Sequence, residues 1–284
     1  MKTPITFNKL ITIADKYDVD NFIYGEGSFG LIYKGRLKSK ANQNEYAIKV
    51  FKSSSTQNEQ AFNQIYRELY VQAGLNHVGI IPIVNYQLMP KNEGNVAIVT
   101  PFMENGSLHE LLSAETEKAQ ELKQKWNGTT KAINIFGITA AMAYIHQNGI
   151  IHRDLKTENI LLDDKMEPNI CDFGLAKPFD DQVQAQCKQT MLIGTQIYMA
   201  PELIDGNGSY GYEIDVFAYS MVLYEIFTNH FPYYDQSFHI MKFILGNIRP
   251  TLKESEVPSY FYKLINKCWS SDPKERPTIF ETCH

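Results

Sequence analysis

The hydrophobic pattern changes character part-way along the chain. Up to about residue 102, apolar residues come in short runs rich in β-branched and aromatic types, the mark of strands. Phe22-Ile23-Tyr24 is one such run and Leu31-Ile32-Tyr33 a second. Glu45–Phe51 is a third, and Val96-Ala97-Ile98-Val99 a fourth that leads into Thr100-Pro101-Phe102-Met103. One helical stripe interrupts them, with Phe62, Ile65, Leu69 and Gln72 on one side of Gln60–Leu75 and Gly74 as its stop. Further on, the period becomes helical. Ser107 is placed to cap a short helix. Thr129–Gln147 predicts a long helix closed by Gly149, and Asp215–Phe227 a buried one. Residues 1–20 read as a lead-in and Ser113–Gly128 as a polar surface insertion. The sum is an α+β chain, rich in strands up to about residue 102 and mainly helical after it.

Composition narrows the function classes. Hydrophobic residues at 44% and charged residues at 21% are ordinary for a globular protein. A net charge of -5 leaves no basic footprint, so no nucleic-acid partner is expected. The longest apolar runs, around Ala132–Ile145 and Val216–Phe227, are too short and interrupted to span a bilayer, so no membrane insertion is expected. The opening MKTPITFNKL lacks the apolar core of a signal peptide. Cys171, Cys187, Cys268 and Cys283 have no C-x-x-C spacing and read as free thiols, which points to a reducing, cytoplasmic compartment.

The chemistry concentrates in Ile151-His152-Arg153-Asp154-Leu155-Lys156-Thr157-Glu158-Asn159, followed by Cys171-Asp172-Phe173-Gly174. Apolar runs frame both pieces, and charged residues are seldom buried unless paired or bound to a metal. Asp154 can accept a hydroxyl proton. Asn159 and Asp172 offer hard oxygen ligands that suit magnesium, and Lys156 a positive charge. Upstream, Gly25-Glu26-Gly27-Ser28-Phe29-Gly30 is followed by strand-type residues, not the helix of a dinucleotide-binding fold, so it reads as a strand–loop–strand flap. Glycines there let backbone N–H groups approach phosphate oxygens. Alternation puts Ala47 and Lys49 on one face of the third strand.

The string H-R-D-L-K-x-x-N, then D-F-G, resembles the catalytic and metal-binding segments of eukaryotic protein kinases. Tyr46-Ala47-Ile48-Lys49 resembles the family's strand lysine motif, and Ala200-Pro201-Glu202 with the distant Arg276 resembles its A-P-E and tail arginine. The resemblance runs from about Phe22 to Arg276 and implies a bilobal α+β fold, with a small lobe of antiparallel β-sheet plus one helix over 21–102 and a large, mainly α-helical lobe over 103–284. It implies ATP and Mg²⁺ as cofactors, with ATP between the lobes, and a protein substrate. Its site residues would be Asp154 as base, Lys156 as charge neutraliser, Asn159 and Asp172 as metal ligands, and a Lys49–Glu68 pair at the phosphates. Tyr24, Gly25, Glu26, Gly27, Ser28, Phe29, Gly30, Ile32 and Ala47 would surround the nucleotide from the flap side. Thr100, Pro101, Met103 and Leu161 would do so from the hinge and floor. Asp215 would anchor the catalytic loop, and a phosphate at Thr190 would bind Arg153.

Departures from the pattern are Gln72, where an apolar spine residue is usual, and Phe217 and Ser220, where tryptophan and glycine are common. Gln72 implies a loosened helix or a shifted register. Lys156 and the stretch Gly194 to Glu202 look like serine/threonine kinases, whereas Val99–Leu108, Glu225-Ile226-Phe227 and Cys268-Trp269 look tyrosine-kinase-like. That mixture implies the tyrosine-kinase-like group of serine/threonine kinases, acting in signalling. A dual-specificity or tyrosine kinase, a small-molecule kinase, and a non-catalytic pseudokinase scaffold are the alternatives. The family's final helix would extend about two turns past His284, so either that helix is short or the chain is a fragment.

Overall fold

The computed structural model describes residues 13–27, 30–39, 44–51, 59–88, 96–179, 196–206, 210–234 and 240–283. These fall into two compact units, one of residues up to Asn76 with Ile81–Met103, the other of His77–Ile80 with Glu104 onward.

The first unit is an antiparallel sheet with helices on it. Strands β1 (Tyr17–Val19), β3 (Gly30–Leu37), β4 (Glu45–Phe51), β6 (Ala97–Pro101) and β5 (Asn85–Gln87) lie in the order β1-β3-β4-β6-β5, and β2 (Gly25–Gly27) also pairs with β3. Strand alternation splits β4 between two faces. Tyr46 and Ile48 pack with Ile13, Tyr17, Ala97 and Val99. On the other face, Phe51 packs with Ile98 and with Ile65 and Leu69 of the helix Glu59–Ala73.

Two expectations change here. Phe22-Ile23-Tyr24 is not a strand; its side chains are 49–65% exposed and the strand begins only at Gly25. An apolar triplet that stays this exposed gains too little from burial to offset the entropy of ordering it, whatever its β propensity. Within the stretch read as a lead-in, Ile13–Lys16 is a helical turn and Tyr17–Val19 the sheet's edge strand, with Ile13 and Tyr17 buried and the Ile13 N–H donating to Gln87 Oε1 at 2.7 Å.

Gln72 does not loosen its helix. It is buried, and its Nε2 donates to the Ile81 carbonyl at 2.7 Å, so the polar head is satisfied and ties the last helical turn to the following chain.

The second unit is mainly helical. Every residue of the helix Glu213–Thr228 from Ile214 to Ile226 is buried, which explains why the run is apolar all round. The helix Gly128–Gln147 is capped by Asn127, whose Oδ1 accepts from the N–H groups of Thr129 and Thr130, and the chain leaves it through Gly149 at φ +71°. Ser107 caps Leu108–Ser113 in a reciprocal box with Glu110.

The stretch read as a polar insertion holds a helix, Glu117–Lys123, capped by Thr116 and anchored by Ala119, Leu122 and the nearby Trp126, all buried. Three apolar anchors among many polar residues suffice to dock it, a sparse signal that the polar average hides. Short strand pairs complete the unit: β7 (Ile150–Ile151) with β10 (Lys177–Pro178), and β8 (Ile160–Leu162) with β9 (Pro168–Ile170). Among the described residues no helix is long and apolar enough to cross a membrane.

Candidate active site

In the first unit, strand register lines up the flap-side residues. Gly25 lies opposite Ile32, and Ile32 opposite Lys49. One step along β4, Ala47 lies opposite Thr100. Residues directly opposite share a face, so Gly25, Ile32, Ala47, Lys49 and Thr100 all belong to the face on which the helix Glu59–Ala73 packs. Gly30 sits where β3 meets β4, and a Cβ there would lie 2.6 Å from the Val50 carbonyl oxygen; only glycine fits. Glu26 and Gly27 belong to β2, while Ser28 and Phe29 at the hairpin tip lie outside the described residues. Tyr24 places its ring edge-on to Phe102, with centroids 4.8 Å apart. Pro101 ends β6 and Met103 follows it, both half-buried.

On that face Lys49 reaches the helix. Its Nζ donates to both carboxylate oxygens of Glu68, at 2.7 and 2.9 Å. Glu68 is buried, so this contact supplies the opposite charge that a buried carboxylate requires.

In the second unit, the loop after β7 is held from below. Asp215, near the start of the buried helix, is itself buried. Its Oδ2 accepts from the His152 N–H at 2.8 Å and faces His146 Nε2 at 2.9 Å, and its Oδ1 accepts from the Arg153 N–H at 2.8 Å. Burial raises its pKa, but the His146 hydrogen bond, the charges of His146 and His152 and the Arg153 N–H outweigh that, and the net shift is downward. So braced, the loop can hold Arg153 at φ +69°.

Asp154 follows directly. Asn159 Nδ2 donates to its backbone oxygen at 2.8 Å and to its Oδ2 at 2.9 Å, and Lys156 Nζ lies 3.3 Å from the same Oδ2. Burial, helped by the Asp172 charge, raises the Asp154 pKa despite the opposing pull of Lys156. A carboxylate fixed in direction and biased toward taking a proton suits general-base work.

Asp172 also adopts a left-handed backbone, φ +63°, and its Oδ1 accepts from the Gly174 N–H at 3.3 Å. Strained non-glycine backbone at two points of one loop system is a mark of a functional site. Leu161 lies in β8, half-buried, bridged to Ser107. Thr190 lies outside the described residues.

The implied magnesium fits this donor set. Asn159 commits its nitrogen to Asp154, which leaves the amide oxygen as a ligand, and Asp172 adds a carboxylate. Magnesium typically takes one or two protein oxygens and fills its shell with water and phosphate oxygens. Consistent with such a sparse protein shell, no group of three or more His, Cys, Asp or Glu suited to a metal occurs among the described residues.

Comparison with known proteins bears on the same residues. The model of the protein kinase domain matches residues 17–284. The chain belongs to the protein kinase domain family. Its match begins at Tyr17, where the edge strand begins. Similar curated proteins include a probable serine/threonine-protein kinase of Dictyostelium discoideum, 32% identical over 259 residues, covering 90% of this chain and 26% of the relative. A probable LIM domain-containing serine/threonine-protein kinase from the same organism is 32% identical over 285 residues, covering 97% and 27%. The serine/threonine-protein kinase STY17 of Arabidopsis thaliana is 30% identical over 264 residues, covering 90% and 41%. The chain thus spans less than half the length of each of these relatives.

The tail places Arg276 against Glu202 in a two-pronged pair, Nη1 to Oε1 at 2.6 Å and Nη2 to Oε2 at 2.9 Å. Phe217, at the departure noted in the buried helix, lies between two guanidinium groups, with Arg249 at 5.2 Å and Arg276 at 5.1 Å from its ring centre.

Sequence reasoning missed a buried knot in the same unit: Glu225, Tyr198 and Thr157, joined by hydrogen bonds. The available signal was a carboxylate deep in an apolar helix, a residue that burial obliges to find partners.

Proposed function

We propose that this domain transfers the γ-phosphoryl group of ATP to serine or threonine hydroxyls of protein substrates, and that it belongs to the tyrosine-kinase-like group. The observation that carries the reading is Asp154, a half-buried carboxylate aimed by the Asn159 amide with the Lys156 ammonium 3.3 Å away. Asp154 orients the acceptor hydroxyl and takes its proton. Lys156 offsets charge that develops on the moving phosphoryl group. Asn159 and Asp172 hold Mg²⁺, which when bound neutralises phosphate charge. Lys49, kept in place by Glu68, holds the remaining phosphates, and the backbone of Gly25 to Gly30 covers them. Little covalent chemistry falls to the protein, so positioning and electrostatics carry the rate, and well-oriented reactants can gain roughly 7–11 kcal/mol.

The group assignment is supported by Lys156 and the serine/threonine-type Tyr198-Met199-Ala200-Pro201-Glu202, set beside the tyrosine-kinase-like Glu225-Ile226-Phe227 and Cys268-Trp269. The serine/threonine names of the relatives point the same way.

Thermal unfolding with and without Mg-ATP tests the binding half. Saturation at about 100 times Kd adds roughly 2.7 kcal/mol of stability. Wild type should show that gain, Asp154→Asn should keep it, and Lys49→Met and Asp172→Asn should lose most of it. Equal gains in all four proteins would refute the assignment of Lys49 and Asp172.

A further inference from the structure

The knot of Glu225, Tyr198 and Thr157 is a ring of oxygens, with Glu158 Oε2 at its edge, 3.4 Å from the Tyr198 hydroxyl and 3.5 Å from that of Thr157. The Tyr198 hydroxyl lies 2.5 Å from Glu225 Oε1, the Thr157 hydroxyl 3.0 Å from Glu225 Oε2, and the two hydroxyls 3.0 Å from each other. All three residues are buried.

Hydrogens decide what such a ring needs. Each hydroxyl has one. If Glu225 were ionised, two hydrogens would serve three contacts, and the Thr157–Tyr198 edge would press two lone pairs together. A proton on Glu225 supplies the third: Tyr198 donates to Glu225, Glu225 to Thr157, and Thr157 to Tyr198. A 2.5 Å edge taken alone also suits an ionised carboxylate. The third edge, and the lack of a cationic partner among the described residues, favour the neutral acid. Among the described residues no Lys, Arg or His pairs with Glu225, and the ionisable groups facing it are Tyr198 and Glu158. Its pKa is pushed up to about 8, chiefly by burial.

The ring's members come from three places. Thr157 opens the turn Thr157–Asn159, three residues after Asp154. Tyr198 lies in the turn Gln196–Tyr198, just ahead of Ala200-Pro201-Glu202. Glu225 lies ten residues beyond Asp215 on the same helix, about 15 Å further along it. That helix therefore grips the loop at both ends, at His152–Arg153 through Asp215 and at Thr157 through Glu225.

We propose that Glu225 is a positioning residue that works as the neutral acid, its one proton locking the Gln196–Tyr198 segment to the turn that follows Lys156 and carries Asn159. The inference deepens the kinase reading and rests on it for its effect on turnover, whereas the proton itself is a property of the fold.

The test uses the full chain and two readouts. Infrared difference spectra of wild type minus Glu225→Gln should show a protonated-carboxyl band at about pH 6.5 that fades as pH passes the Glu225 pKa of about 8. No such band in that range overturns the proposal, with or without phosphotransfer. In a peptide phosphorylation assay, Glu225→Gln keeps one donor and one acceptor in place of the acid. It should stay within about threefold of wild type and lose the alkaline fall in rate that wild type shows above the same pKa.

Thr157→Val and Tyr198→Phe open the ring and should each lower kcat/KM for peptide about 3- to 10-fold, the value of one hydrogen bond, with KM for ATP unchanged. An alkaline fall that persists in Glu225→Gln, or ring-opening variants as active as wild type, would also overturn it. A wild type that transfers no phosphate while showing the band would sink the kinase reading and leave the proton standing.

Discussion

Substituting Asp215 by Asn changes one oxygen to an NH₂ group and nothing else in size, and its consequence can be worked from the geometry. Two backbone N–H groups converge on this carboxylate, His152 on Oδ2 and Arg153 on Oδ1, and His146 faces Oδ2 as well. If the amide nitrogen takes the Oδ1 place, the Arg153 N–H meets a donor. If it takes the Oδ2 place, the His152 N–H does, even though the His146 ring can change tautomer to suit. Either way one buried backbone donor loses its acceptor, at about 1–3 kcal/mol. Arg153 also sits in the left-handed region, which costs an L-residue roughly 1–2 kcal/mol and which these bonds help to maintain.

A destabilisation of about 1–3 kcal/mol is therefore expected from the unpaired donor, since the left-handed strain is already present in the wild type. Both tryptophans, Trp126 and Trp269, lie in the second unit, so their fluorescence during urea titration reports the unit that contains the lesion. With a urea slope of about 1–3 kcal/mol/M, the midpoint should fall by roughly 1 M. Turnover should fall about 100-fold, because Asp154 adjoins the released segment and an ångström of misplacement costs that much. An Asp215→Asn protein with the wild-type midpoint and rate would refute the claim that this carboxylate holds the loop.

Other consequences follow from the same packing. Arg276→Ala leaves Glu202 without this cation and removes a donor from the Ser270 and Glu213 carbonyls, so urea unfolding should show a loss of about 3–5 kcal/mol. Ser107→Ala removes a cap and should cost about 1 kcal/mol in the same titration. Glu225 carries a pH dependence of known sign. Its ordinary pKa is 4.5 and its folded value about 8, so the folded state holds the extra proton between them. The stability it contributes is complete below about pH 4.5 and is lost as pH rises to about 8; Glu225→Gln should flatten that part of the stability profile.

Much of the fold was legible because the decisive signals are local. The capping box at Ser107, the stop at Gly149 and the apolar length of the central helix each lie within a few residues of what they control. The pairs Lys49–Glu68 and Glu202–Arg276 were legible by resemblance, since neither spacing alone brings 19 or 74 residues of separation into contact. What stayed hidden depends on covering layers. Phe22-Ile23-Tyr24 has strand composition but stays about half or more exposed, whereas Tyr17 looked like part of a tail and is buried against Tyr46, ring to ring at 5.5 Å. Gln72 looked like a flaw until its partner, the Ile81 carbonyl, was in view. The ring of Thr157, Tyr198 and Glu225 joins three segments, and no periodicity connects them.

The most direct test of the central claim is transfer of labelled γ-phosphate from Mg-ATP to a peptide array by the purified chain, with Asp154→Asn beside it. The account predicts label on Ser and Thr peptides with wild type, and almost none with a variant that still binds Mg-ATP. Equal labelling by both proteins, or no labelling by a wild type that binds Mg-ATP, would contradict it.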